Sequence, residues 1–463
     1  MPAVLRSLSK VLIGPQEVAG IAQGLQQGLA GNGIASELVL ECQHPFGYAA
    51  DESSSLLVHA WKSAGTLARR IPTRKLWLKA PVYAWHLALG WPVLCWALAR
   101  FDAFVFLSGK TLTNTPLELW LMRMLGKPVV VIFLGSDARP AYINGAWPAS
   151  TAAALHRKVR RQKRKVRWLE RLATACVNAP GTSHFHERPV INWFAFGLPR
   201  TTGTQAAPGV RQEVDSPGAC PAAFDASRGR SGVTSDPLRL VHSPSNPVVK
   251  GTAQIQATVE RLQQRGFNLE FVALKGVSNE QVLASLRRCD LLVDQLYSDT
   301  PMAGLATEAA LLGKPALVGG YFAREMPEAL GGMPMPPTRF VDPDLFEQAL
   351  EELVNSASAR AALATAASNF VQTEWSCDQV ASRLLRILRG EASASWWFDP
   401  ANVKYLAGCG LSEDAARERV RQLIDHAGVG ALQLADKPVL EEAFQSWARI
   451  PAPVEAKFSR GPS

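Results

Sequence analysis

A lysine and a glutamate in the second half of the chain have the types and surroundings to hold an anion beside a pair of hydroxyls. Lys250-Gly251-Thr252 closes the stretch HSPSNPVVKGT, directly after the apolar run LRLVH. A lysine at a strand-to-helix turn supplies a point charge for phosphate, and the adjacent glycine lets backbone approach closely. The upstream glycine of a Walker A loop is missing, and by itself the motif fits a solvated surface lysine equally well. Residues 290–318, DLLVDQLYSDTPMAGLATEAALLGKPALV, read as a strand over 291–296, a polar crossing and a short helix. Thr300 and Pro301 have the character of a cap and first helical residue, with Gly313 and Pro315 as the stop. A helix starting at the carboxyl end of a strand aims unpaired amides at an arriving anion. Glu308, one or two turns inside, then points a carboxylate into the same crevice, where it can accept from hydroxyls.

Other candidates carry two readings each. In the first half, GSDARP (135–140) follows an apolar strand, and Asp137 and Arg139 either face the crevice or belong to a capped turn. His184 and His186 stand two apart with no further acid, Cys or His at ligand spacing, which favours a loop or strand role over a metal. Asp342-Pro343-Asp344 spells a carboxylate pair, but Asp342 suits an N-cap with Pro343 at the first helical position, so no metal is assigned. Glu41 ends a strand where a ribose partner could sit. The Gly14 and Gly20 spacing before it fails the GxGxxG fingerprint, which argues against a nicotinamide dinucleotide.

The elements that must position these groups alternate regularly. Apolar strands at 11–14, 37–40, 103–107, 128–134 and 175–178 are separated by helical stretches, the one over about 52–100 rich in Trp. The alternation resumes with strands at 238–242, 269–274 and 291–296 and helices at 252–265 and 279–288. Two such series predict two α/β, Rossmann-like, doubly wound domains facing a cleft. The expected division is a first domain over 1–199, a Gly/Pro/Ser-rich linker or loop over 200–237, a second domain over 238–390 and a small helical appendix over 391–463. With 463 residues, 47% of them hydrophobic, the chain can fill such cores. Its seven scattered cysteines contain no CxxC and point to reduced thiols in a cytosol.

The net charge of +9 is local in origin. Residues 156–171, HRKVRRQKRKVRWLER, hold nine Lys/Arg against the single Glu170. This predicts a long helix with a cationic face, open to three readings: an anionic membrane surface, favoured by Trp168; a solvated face; or nucleic acid, which no accompanying binding module supports. Residues 81–99, PVYAWHLALGWPVLCWALA, are long enough to span a bilayer, but Pro92, His86 and the Trp content fit a buried or interface-dipping helix better. No signal peptide is evident, and the expected location is cytoplasmic, peripheral at the inner face of the membrane.

HSPSNPVVKGT, the 290–318 stretch and the first-domain GSDAR together resemble the GT-B-fold glycosyltransferases, most nearly glycosyltransferase family 4, over most of residues 10–390. The resemblance implies a retaining transfer of a sugar from a nucleotide-diphosphate donor to an acceptor hydroxyl, without a cofactor or metal. It also implies a lipid-linked or saccharide acceptor, in polysaccharide or glycolipid synthesis. Lys250, with Ser245, Asn246 and Gly251 in its loop, would bind the donor diphosphate, the amides around Gly304 and Leu305 the distal phosphate, and Glu308 the ribose hydroxyls. Lys275, Gly276 and Val277 would line the base, and Asp137 would position the acceptor. The family's two glutamates stand eight apart; here the first is replaced by Thr300, with Asp299 beside it, which makes this position the place to seek donor selectivity. The neutral pair Ser245-Asn246 stands where an arginine is common, and Leu134 where a histidine is expected. These departures keep a second class open, a catalytically silent GT-B scaffold that binds a partner or a membrane. A nucleotide-sugar epimerase is a third, without an evident acid/base pair.

Overall fold

The computed structural model describes residues 8–42, 55–72, 74–147, 151–200 and 236–450. Most of the expected linker, residues 201–235, lies outside them. In the first half, α1 (Ile21–Gly31) connects β1 (Lys10–Gly14) to β2 (Ala35–Leu38), and α2 (Leu56–Arg70) and α3 (Leu76–Arg100) form a hairpin before β3 (Ala103–Leu107). Next come α4 (Pro116–Met124), β4 (Val129–Ile132), α5 (Ala152–Leu172), β5 (Ala175–Asn178), β6 (Val190–Asn192) and the short α6 (Trp193–Phe196). The second half runs β7 (Leu238–His242), α7 (Pro247–Lys250), α8 (Thr252–Gln264), β8 (Leu269–Ala273), α9 (Asn279–Arg287), β9 (Leu291–Val293), α10 (Gly304–Leu311), β10 (Ala316–Gly319), α11 (Met326–Leu330) and β11 (Arg339–Val341). Helices α12 (Phe346–Asn355), α13 (Ala357–Thr373) and α14 (Cys377–Leu388) follow, then β12 (Trp397–Phe398), α15 (Glu413–Ala427) and α16 (Pro438–Arg449).

The central strands are continuous apolar runs because helices cover both faces of the sheet there: AFVFL of β3 and VVVI of β4 are buried at every position. Helix starts follow local chemistry. Ser278 and Gln281 form a capping box on α9, Pro116 opens α4, and Thr151 accepts the Ala154 amide at 3.3 Å to cap α5. The first sheet has the order β12-β6-β5-β4-β3-β1-β2 and the second β11-β10-β9-β7-β8. Within them all neighbours are parallel except β12, which pairs antiparallel with β6 through Trp397 and Ile191. Each sheet therefore reverses its winding beside its first strand, between β1 and β3 and between β7 and β9. Crevices outside such switch points are where open α/β sheets bind ligands. This is the expected pair of Rossmann-like domains, and one apolar cluster joins them, running from Ile13 and Leu25 through Val241 and Ala306 to Leu384.

Two expectations change in the folded chain. The helix expected to begin at Thr300 and Pro301 begins at Gly304, with Ala303 as its N-cap. The Ser298 hydroxyl bonds both the Thr300 amide (3.2 Å) and its carbonyl (2.7 Å), and Thr338 donates to the Pro301 carbonyl at 2.8 Å, which holds this segment out of the helix. As far as residue 450, the helical appendix over 391–463 packs on the first sheet's layers: β12 extends that sheet and α15 lies along α5, while α14 before it packs back on α1.

The basic helix is the second. Trp168 is partly buried against the core beside Val166 and Leu169, on the inward side of α5 rather than among exposed cations. Lys163 is buried and pairs with Asp436 at 2.6 Å and Glu187 at 3.3 Å, while Arg167 and Arg171 reach Glu187 at 2.6 and 3.4 Å. Lys158 stands over the Trp147 ring at 3.4 Å. Of these cations only Lys163 is buried; Arg157, Arg160, Arg161 and Arg164 remain exposed, as do Arg167 and Arg171 beside Glu187.

Candidate functional site

At the switch point of the second sheet lies a cavity of about 320 Å³. Of the residues singled out in the sequence, Ser245, Lys250, Gly276 and Val277 line it from the loops after β7 and β8, and Gly304, Leu305 and Glu308 line it from α10. Asn246 lies outside this lining; its side chain accepts the Val248 amide at 3.1 Å and so starts α7. Gly251 is the left-handed residue (φ 73°) between α7 and α8, pressed against Leu296, a place for glycine in both respects. Lys275 is exposed beside the cavity rather than in it.

Lys250 is held by a polar network at the ends of β7 and β9. Its Nζ donates to Gln295 Oε1 at 2.6 Å and lies 3.4 Å from Asp294 Oδ1. Gln295 Nε2 donates to Ser298 Oγ at 2.7 Å, which links the lysine to the segment that delivers α10. Beneath it, buried His242 donates from Nδ1 to the Val293 carbonyl at 2.8 Å, so Nε2 accepts from the Thr252 hydroxyl, also at 2.8 Å. Burial lowers the His242 pKa, outweighing its hydrogen bond to Val293 and the nearby Asp294, and the ring is neutral.

Glu308 is met by Arg200, which follows α6 at the start of the expected linker. The guanidinium NH1 donates to Glu308 Oε1, with side chains 2% and 6% exposed. Arg200 lines the cavity together with Val18 and Ala19 of the first domain. Ala19 and Gly20 are both left-handed (φ 57° and 80°), a tight turn that brings the start of α1 against α10. Glu17 accepts the Ala22 and Gln23 amides in the first turn of α1, at 3.4 and 3.2 Å; burial raises its pKa despite these amide bonds and the nearby Arg200.

Two of the other expected site residues are engaged elsewhere. Asp299 pairs with Arg139 across the cleft, Arg139 Nε to Oδ2 at 2.8 Å, which removes it from the cavity lining. Burial alone would lower the Arg139 pKa, but Asp299 holds it raised. Thr300 is buried outside the cavity lining, and its hydroxyl makes no hydrogen bond. Asp137 turns its carboxylate back on the Leu134 amide at 3.0 Å and, desolvated there, has a raised pKa. It nonetheless stands at the carboxyl end of β4, and Lys165 and Arg139 are near enough to act on its charge. Glu41, after β2, is gripped by Lys110 at 2.5 Å and Arg69 at 3.1 Å, which hold its pKa below the usual range against the opposing effect of burial.

His184 and His186 are core residues. His184 Nε2 donates to the Tyr405 carbonyl at 2.6 Å, and burial drives its pKa down to about 3; His186 Nδ1 bonds Glu170 at 3.1 Å. Asp342 caps the turn at Pro343–Leu345 by accepting the Asp344 amide at 3.0 Å, the N-cap role the sequence suggested. Among the described residues no three His, Cys, Asp or Glu side chains are grouped to hold a metal ion. The sequence reading missed Arg200, Gln295, Ser298 and His242. His242 at a strand end was a usable signal; Arg200 had none, because its partner lies 108 residues away.

No family model matches this sequence, and no curated protein matches it. Solved structures do. The catalytic domain of starch synthase IV from Arabidopsis thaliana, bound to ADP and acarbose, aligns with a TM-score of 0.48 at 11% identity, over 83% of this chain and 99% of that one. HepE from Anabaena, in complex with UDP and glucose, aligns at 0.41 and 13% identity, over 82% and 99%. The UDP-GlcNAc 2-epimerase from Neisseria meningitidis, bound to UDP-GlcNAc, aligns at 0.40 and 12%, also over 82% and 99%.

Proposed function

We propose that this protein is a glycosyltransferase that moves a sugar from a nucleotide-diphosphate donor to an acceptor hydroxyl. One observation carries the reading. The cavity at the second switch point gathers Lys250, the start of α10 and Glu308, three segments with the chemistry for a diphosphate and a ribose diol, at the place where such sheets bind ligands. Gly276 and Val277, at its β8 side, suit the base, and Ser245 the edge of the phosphates.

The chemical work lies in stabilising the departing diphosphate. Lys250 and the α10 amides are prearranged toward that charge and need little reorganisation as the sugar–phosphate bond breaks. The acceptor enters from the first-domain side of the cleft, and Asp137 positions its hydroxyl once the Leu134 contact opens. Transfer proceeds with retention at the anomeric carbon, the donor being a hexosyl or related sugar, and domain closure excludes water. A thermal-shift panel of nucleotide sugars tests the assignment, since a ligand of the folded state raises apparent stability. Normal turnover in Lys250→Ala or Glu308→Ala would refute it. Absence of any nucleotide binding would instead favour the silent scaffold.

The acceptor in this reading is lipid-linked or a membrane-associated saccharide, met at the cytosolic face during polysaccharide or glycolipid synthesis. The exposed arginines of α5 support an anionic surface in part. The stronger support is α3, where Trp77 and Trp85 are 76% and 62% exposed, beside Leu76 and Tyr83 and next to the cations Arg74, Lys75 and Lys79. A helix with apolar, tryptophan-bearing and basic surface settles into the headgroup layer. Helix α3 is also long and apolar enough to cross a bilayer, with Pro81 and Pro92 inside it.

A further inference from the structure

We propose that Arg200 is a second cation of the anion site and exchanges the Glu308 carboxylate for the donor's diphosphate when the ligand enters; the proposal rests on the nucleotide-sugar reading of the same cavity. The loop that carries Lys250 has neutral Ser245 and Asn246, so the second domain's loop presents one cation to a ligand bearing two phosphates. The structure supplies another from the segment that follows α6. Arg200 is 6% exposed, and it lines the cavity opposite Lys250's loop. Its Nε is buried without a hydrogen-bond partner, an arrangement that costs free energy unless a ligand meets it.

The start of α10 converges on the same point. No side chain caps this helix, and its first residue, Gly304, is where a Cβ would collide with the Arg200 guanidinium. The missing side chain therefore lets the guanidinium lie directly against the uncapped helix terminus, and both attract negative charge. Two positive features in contact at a buried point need an anion, and Glu308 provides it.

A diphosphate entering between Lys250 and Arg200 offers the guanidinium a paired set of oxygens, for which its fork is suited. Glu308 is then released to accept hydrogen bonds from the ribose hydroxyls. The ion pair thus keeps a buried carboxylate and a buried guanidinium neutralised until the ligand replaces one partner for each. Because Arg200 directly follows the first sheet's last helix, α6, and Glu308 lies on α10 beside the second sheet, ligand bridged between them also ties the two sheets' layers together.

Calorimetry on the full chain with inorganic pyrophosphate and with UDP, ADP and GDP tests the exchange. Arg200→Gln is expected to weaken pyrophosphate and nucleoside diphosphate by about 10- to 100-fold, as for loss of one charge-assisted contact, with Arg200→Lys in between. Glu308→Gln, which frees the guanidinium, is expected to tighten pyrophosphate while weakening the preferred nucleoside diphosphate. This second variant leaves Arg200 intact, so a folding defect in Arg200→Gln does not decide the outcome. Unchanged pyrophosphate affinity in both Arg200→Gln and Glu308→Gln, with loss in Lys250→Ala, would overturn the exchange and leave the nucleotide-sugar reading standing. No binding of any probe by the unaltered protein would overturn both.

Discussion

Asp299→Asn is the sharpest perturbation of the closed cleft. In the folded chain the Asp299 carboxylate neutralises Arg139, with side chains 9% and 5% exposed. After the substitution the guanidinium has neutral amide oxygens in place of a carboxylate, Asn144 Oδ1 at 3.4 Å among them. Cys409, which lies nearby, cannot take the charge, because burial raises its pKa and keeps it a thiol despite Arg139. Removing one member of a buried pair costs about 3–5 kcal/mol, most of it the penalty of the charge left behind. The slight exposure of both side chains places the expectation near the lower end, at about 3 kcal/mol. Replacing both together, as Arg139→Met with Asp299→Leu, removes the stranded charge and should recover most of that loss. Equilibrium urea unfolding of Arg139→Met, Asp299→Leu, the double variant and the parent, followed by tryptophan fluorescence, gives the cycle, with Asp299→Asn measured beside it. Coupling between the sites of at least about 1 kcal/mol is expected for groups in direct contact. Stability of Asp299→Asn equal to the parent, together with lost nucleotide-sugar affinity, would refute the reasoning and return Asp299 to the donor site.

Three further outcomes follow from the geometry. Lys250→Ala should weaken nucleoside diphosphate by about 1.5–3 kcal/mol and also lower the melting temperature, since Gln295 keeps Ser298 but the fully buried Asp294 loses its cation; calorimetry beside a melting curve checks both halves. Glu325 has its pKa raised to about 7, first by burial and then by Glu328, so the folded state holds this proton more tightly than the unfolded chain does. The stability it contributes is full below the ordinary carboxylate pKa and is lost as pH rises to about 7. Glu325→Gln should therefore match the parent near pH 4 and exceed it by about 1–2 kcal/mol at pH 8, the full shift being discounted for partial solvent access; a difference that does not change with pH would contradict this. On anionic vesicles, Trp77→Ser with Trp85→Ser should reduce binding more than Gln replacements at Arg160, Arg161 and Arg164, measured by sedimentation; the reverse order would return the membrane contact to α5.

The parts of the site written in single segments were legible before folding. Lys250-Gly251-Thr252 and Glu308 could be placed because strand ends and helix starts are local events, set by apolar runs, glycines and the polar residues between them. The same locality explains why both sheets were readable: parallel strands covered on two faces must be apolar throughout, and β3 and β4 show it residue by residue. Helix α5 marks the boundary of that legibility. A run of cations predicts a helix, but which cations face inward depends on Asp436, 273 residues beyond Lys163.

The sequence by itself determined the alternating elements, the two-domain plan and the lysine and glutamate that open toward the second switch point. Tertiary structure decided their partners. It set Arg139 on Asp299 across 160 residues and Arg200 on Glu308 across 108, and it turned Trp168 into the core. The physical reason is that a buried charge must be neutralised by whatever the fold brings within a few ångströms, and that choice is made in space, between segments whose spacing along the chain carries no period.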